Sequence, residues 1–157
     1  MNQIYTHPKR KTKVVFVQLG SPAEPTTKAL RKYLRKFLGD PRVVDINPWL
    51  WKLILNFFVL PFRPKKSAKL YARIWDGKNF PLITNTRDFT NNVREELKKI
   101  DPRGRVEVNH AFLLSPPYVN EVYDSWEDDV KKGVGATKLL VIPMFPQYSE
   151  STIASGI

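Results

Sequence analysis

The 157 residues, 42% hydrophobic and 26% charged, can build one packed core and do not have the composition of a disordered chain. There is no cysteine, which excludes disulfides, thiolate metal sites and cysteine-ligated iron–sulfur clusters within this segment. The formal charge is +11, and between Lys28 and Arg73 twelve Lys or Arg stand against only Asp40 and Asp45, so that this segment alone carries +10. Such a field attracts anions: nucleic acid, anionic lipid or a polyanionic small molecule.

Residues 1–11 are polar and basic with no apolar run behind them, and read as a flexible basic tail without a secretory signal. Lys13–Gly20 then predicts a buried strand ending in a Gly turn. A helix follows over Thr26–Leu38, with Leu30, Tyr33, Leu34, Phe37 and Leu38 on one face at 3,4 spacing. Pro25 and Thr26 suit its start, and Gly39-Asp-Pro41 its end. Lys28, Arg31, Lys32, Arg35 and Lys36 form its basic face, read as solvated.

Pro48–Phe62 is apolar nearly all round but is interrupted by Lys52, Asn56 and Pro61. It is shorter than the about 20 residues needed to span a bilayer. Its residues fit either a buried core helix or an interfacial anchor with basic flanks. Ser67–Trp75 predicts a short third helix and Thr84–Ile100 a helix with a polar outer face. Arg105–Leu114 alternates as a second strand, Tyr118–Lys132 is an acidic helix opened by Pro116-Pro117, and Lys138–Met144 is a third strand. That strand runs into Pro146-Gln-Tyr-Ser149 and a hydroxyl-rich turn.

Strands alternating with helices predict an α/β fold: a doubly wound parallel sheet with helices on both faces and right-handed crossovers. The long helical insertion between strands one and two is extra to that plan and marks a specialised task. The α/β domain is expected over residues 12–157.

The first turn, Val17-Gln-Leu-Gly-Ser-Pro22, lets backbone amides face a ligand beyond Gly20. It is neither a dinucleotide fingerprint nor a P-loop. His7 lies in the tail. His110 shares a strand face with Val106, Val108 and Phe112 and reads as a core histidine, and no His/Asp/Glu cluster has metal-ligand spacing. No metal site is expected.

Four blocks together carry more information than any one of them. Leu19-Gly-Ser-Pro22, the run Leu30–Asp45, the run Leu60–Trp75 and Pro146-Gln-Tyr-Ser-Glu-Ser-Thr152 resemble, in the same order, ferrochelatases, which insert ferrous iron into a porphyrin late in haem synthesis. The resemblance covers roughly residues 12–156 and is to the first of the family's two similar α/β halves, which hold the porphyrin in the cleft between them. It implies a second, C-terminal half as partner, in the same or a separate chain. The sequence as given breaks off inside the last motif, which fits that expectation.

The resemblance implies that the proton-accepting histidine of a Phe-Ser-x-His-Gly segment and the acid opposite it belong to that second half. Metallation must take two protons from pyrrole nitrogens and strip water from Fe²⁺, so those groups are needed for activity. No catalytic residue and no cofactor are therefore expected in this chain, and the substrates would be Fe²⁺ and a porphyrin.

Carried over by position, Leu19 would lie at the porphyrin face of the first turn. Arg63 would meet a propionate, helped by Lys65 or Lys66, because a guanidinium fork suits a carboxylate. Tyr71 would line the pocket wall, and Tyr148 and Ser149 would sit near the cleft floor. As residues alone, Tyr71 and Tyr148 equally suit core aromatics, and Lys65 and Lys66 plain surface charges. Trp49, Trp51, Phe57, Phe58, Leu60 and Phe62 would form the active-site lip, with peripheral contact to a membrane from the cytoplasmic side.

Two departures stand out. Leu113-Leu114-Ser-Pro-Pro117 replaces the Arg-Tyr or Lys-His that many members carry after the second strand, and Asn79-Phe80-Pro81 replaces Gly-Ser-Pro. The alternative functions are a non-catalytic porphyrin- or haem-binding module, which the first departure favours, and a basic anion- or nucleic-acid-binding domain, for which no recognised motif is present.

Overall fold

The computed structural model describes residues 11–145. At its centre lies β1 (Thr12–Gln18), whose alternating residues are buried on both faces, as a middle strand between two helical layers requires. It is flanked by β2 (Val106–Phe112) and β3 (Lys138–Pro143), in the order β2-β1-β3. Both pairings are parallel, with Val14 opposite Val108 on one side and Leu140 on the other. This is the parallel α/β sheet expected.

The two faces are covered by different helices. Under α4 (Pro81–Ile100), Val14, Phe16 and Val108 meet Val93, Leu97 and Ile142. Under α5 (Val119–Lys131), Val15, Val17 and Ala111 meet Val119, Val122, Leu139 and Val141. The second face is less completely sealed: no residue of α5 is fully buried. α4 begins at Pro81 and not at the expected Thr84, because proline suits a first turn whose N–H groups are unpaired anyway.

The insertion between β1 and β2 begins with α1 (Thr27–Leu38), where Thr26 accepts a capping hydrogen bond from the Ala29 amide at 3.2 Å. The following segment corrects the expectation of two separate helices at Pro48–Phe62 and Ser67–Trp75. Instead α2 (Pro48–Ile54) passes through a wide π turn at Leu55–Val59 straight into α3 (Leu60–Tyr71), which ends in a 3₁₀ turn, Ala72–Ile74. The wide turn lets the Leu60 amide reach the Leu55 carbonyl just before Pro61, which has no N–H to offer.

Pro64 sits inside α3 and likewise leaves the Leu60 carbonyl without its helical donor. Arg31 of α1 fills that gap, its Nε donating to the Leu60 oxygen at 3.3 Å. Buried Leu60, Pro64 and Ala68, at i, i+4 and i+8, form the stripe by which α3 packs on α1. A proline that reads as a helix breaker in sequence is thus accommodated by a tertiary contact.

Candidate functional site

Open α/β sheets bind ligands beyond the carboxyl ends of their strands, and here that rim is closely fastened. Past the ladders, the Leu113 and Leu114 amides donate to the Gln18 and Leu19 carbonyls, each at 3.0 Å. The Met144 amide donates to the Val17 carbonyl at 2.8 Å, while Gln18 Nε2 donates to the Met144 carbonyl at 3.0 Å. Gly20 turns with φ +91°, a conformation that strongly favours glycine, and the Ser21 amide donates to Ser115 Oγ at 3.3 Å. The turn presents Leu19 beside Leu113 and Leu114, all three half-buried.

An aromatic cluster supports the turn from the insertion side. The Tyr33 hydroxyl donates to the Gly20 carbonyl at 3.3 Å. Burial, with the neighbouring Tyr71 adding to it, holds the Tyr33 phenol well above its ordinary titration range. Tyr71 tilts against Tyr33 at 6.4 Å and meets Phe80 edge-on at 5.4 Å, and Trp75 meets Phe80 at 4.6 Å. Tyr71 is thus linked to the first turn through Tyr33 and the Gly20 carbonyl. The cluster also accounts for Asn79-Phe80-Pro81: Phe80 is 2% exposed and fills the cluster's centre.

Arg63, Lys65 and Lys66 are all exposed on α3, and none forms an ion pair among the described residues. Arg63 lies eight residues before Tyr71, about 12 Å along the axis and roughly 80° around it. Lys66, at i+3, shares the outer flank of Arg63, and Lys65 falls on the opposite flank. One lysine is thus near Arg63 and the other is not.

The apolar run before them divides cleanly. Trp49 is 74% exposed, Phe57 67%, Phe58 69% and Phe62 71%, large apolar side chains left in solvent along one helical run. Trp51 is half-buried, its indole Nε1 donating to the Leu38 carbonyl at 2.7 Å. Leu60, grouped with the lip in sequence, is 2% exposed and belongs to the α1–α3 interface instead. Among the described residues no helix is long and apolar enough to cross a membrane.

Two grooves open at the rim. One, of about 660 Å³, runs between α5 and the sheet over Val15, Leu139 and Val141; the other, of about 180 Å³, lies over Leu19, Val43 and Leu114. Leu113 and Lys36 line both. Lys36 is exposed, as its place on a solvated helix face implies. Its place three residues after buried Tyr33 was the available signal that it stands at the border of that face.

His110 is half-buried beneath α4, edge-on to Phe112 at 5.5 Å. Burial first, then Arg94 and Arg87, lower its pKa, and its Nδ1 has no hydrogen-bond partner among the described residues. Three or more His, Asp or Glu nowhere gather into a metal site among the described residues. Tyr148, Ser149 and His7 lie outside the described residues.

Comparison with known proteins adds an independent finding. The sequence pattern of the ferrochelatase family matches residues 11–157. The chain is 42% identical over 142 residues to a ferrochelatase of Idiomarina loihiensis, covering 90% of this chain and 37% of that protein. It is 42% identical over 157 residues to a ferrochelatase of Teredinibacter turnerae, covering 98% and 41% of the two. To "Ferrochelatase 1" of Shewanella oneidensis it is 37% identical over 150 residues, covering 96% and 43%. The chain thus spans about two fifths of the length of these relatives.

Proposed function

The chain belongs to the ferrochelatase family, and on that premise we propose that it is the first α/β half of an enzyme inserting Fe²⁺ into a porphyrin. The observation that carries this reading is the family match along the whole described fold, at about 40% identity to named ferrochelatases. In this role the chain supplies the porphyrin's bed. Leu19, Leu113 and Leu114 form an apolar floor at the sheet rim, the Tyr33–Tyr71 cluster keeps the first turn rigid, and cations meet the propionates.

The chemistry divides accordingly. Removal of the two pyrrole protons needs bases at the macrocycle face. His110 is held under α4 rather than beside Leu19, so it is not proposed for that step. The bases would come from a second half. A rigid apolar wall contributes by favouring the bent, product-like ring over the flat one, which is differential binding.

Exposed Trp49, Phe57, Phe58 and Phe62, with Lys52, Arg63 and Lys66 nearby, support peripheral contact of the lip with an anionic membrane surface on the cytoplasmic side. Such contact would deliver a poorly soluble substrate directly to the cleft.

The test is a porphyrin titration of the purified chain followed in the Soret band. The expected result is a saturable shift at micromolar protein without iron insertion. An unchanged Soret band, together with a salt-dependent shift of generic DNA, would replace this reading with the anion-binding one.

A further inference from the structure

The three chain segments that leave the carboxyl end of the sheet meet at one residue. Gln18 ends the central strand and is half-buried there. Its backbone carbonyl accepts the Leu113 amide at 3.0 Å, where the chain leaves β2. Its side-chain Nε2 donates to the Met144 carbonyl at 3.0 Å, where the chain leaves β3. Its Oε1 accepts the amide of Leu19, the next residue in the first turn, at 3.2 Å. Donor and acceptor of the side-chain amide are thus both engaged, and the two partners fix which way round it lies.

The consequence is positional. Leu19 lines the smaller groove, and Leu113 lines both grooves. The Leu19 backbone is fastened on either side of its Cα, the amide by Gln18 Oε1 and the carbonyl by the Leu114 amide at 3.0 Å. Met144 is held on both sides as well, its amide by the Val17 carbonyl at 2.8 Å and its carbonyl by Gln18. Its side chain packs on the Val14, Phe16 and Val108 cluster under α4. An apolar floor fastened in this way is already ordered before a flat ring settles on it, so binding does not have to order it.

We propose that Gln18 is a positioning residue for the porphyrin. It acts through Leu19 and Met144, holding the exits of β1, β2 and β3 at a fixed separation under the ring. This rests on the porphyrin reading above and goes beyond it by naming what sets the geometry of the floor.

The experiment compares the wild-type chain with Q18E and Q18M. Each is titrated with a dicarboxylate porphyrin, following the Soret band and the induced circular dichroism of the bound ring, at about pH 8 and about pH 5. Q18E keeps the acceptor for the Leu19 amide but sets a carboxylate against the Met144 carbonyl. At the higher pH it is expected to bind about tenfold more weakly than wild type, the scale of one lost hydrogen bond with its partner left unpaired. Burial and the facing carbonyl favour the neutral acid, which at the lower pH donates to Met144 as the amide did. The deficit relative to wild type at that pH should then close to about threefold or less. Q18M has nearly the same length and no polar ends, so it should be impaired at both pH values with an altered dichroism. Urea midpoints show that each variant is folded during titration, and Q18M keeps the test decisive if Q18E is not. Q18M binding as wild type does would overturn the proposal, because a space-filling role survives that change. A Q18E deficit equal at both pH values would overturn it too. A wild-type chain that leaves the Soret band unshifted would overturn the porphyrin reading itself, and the positioning role with it.

Discussion

The Ser115 hydroxyl occupies the space that a side chain at Gly20 would need. A Cβ built on Gly20 collides with Ser115 Oγ and comes within 3.1 Å of Phe112 Cβ, while φ at residue 20 is already +91°. The pairing holds the end of β1 against the chain leaving β2, and the Ser21 amide uses the same hydroxyl. The rim of the candidate site therefore depends on a glycine and a serine 95 positions later.

Gly20→Ala should destabilise the chain by about 2 kcal/mol or more, from a strained backbone and an overpacked contact together. The urea midpoint should fall at unchanged slope. Ser115→Ala in the same background should recover part of the loss by removing the clashing oxygen, which a purely conformational penalty would not allow.

Leu30 is fully buried where α1 meets the rest of the insertion. Leu30→Ala is expected to cost about 3 kcal/mol. Because α1 carries Tyr33, which supports the first turn, the same variant should weaken porphyrin binding even at temperatures where it stays folded. Parallel thermal melts and Soret titrations separate the two effects.

Tyr33 gives a pH signature. Its folded pKa is raised, chiefly by burial, so the folded chain binds this proton more tightly than the unfolded chain does. The corresponding stability is fully present below the ordinary tyrosine value near pH 10 and declines as pH rises above it. Tyr33→Phe should remove that alkaline decline, with Tyr71 left as the neighbouring phenol. It should also cost about 1 kcal/mol at neutral pH by withdrawing the donor from the Gly20 carbonyl. Urea midpoints measured from neutral to strongly alkaline pH test both statements.

The exposed lip predicts binding to anionic liposomes at low salt that is lost in Phe57→Ser/Phe58→Ser/Phe62→Ser. These side chains are largely in solvent, so the triple variant should melt within a few degrees of wild type. Co-sedimentation at two salt concentrations checks the membrane reading. Undiminished pelleting of the variant would leave the basic charge alone as its cause.

Much of the fold was legible because its signals are local. The β-branched run of β1 and the 3,4 spacing of Leu30, Tyr33, Leu34 and Phe37 each lie within one element, and alternating strands and helices imply the parallel sheet. What failed was the break expected between Pro48–Phe62 and Ser67–Trp75. Pro61 is accommodated by the wide turn at Leu55–Val59, and Pro64 is disruptive only if its helix has no outside donor; Arg31 is 29 residues from the Leu60 carbonyl it satisfies.

The sheet, the order of its elements and the ferrochelatase-like blocks are all written in short-range pattern and residue identity. Which residues of those blocks are buried and which are left at the surface depends on tertiary packing. It put Leu60 into a helix interface while Phe57, Phe58 and Phe62 stayed outside, and it made Phe80 the centre of an aromatic cluster. It also set exposed Lys36 where two grooves meet. Side-chain direction depends on which element packs alongside, and that partner lies dozens of residues away in the chain.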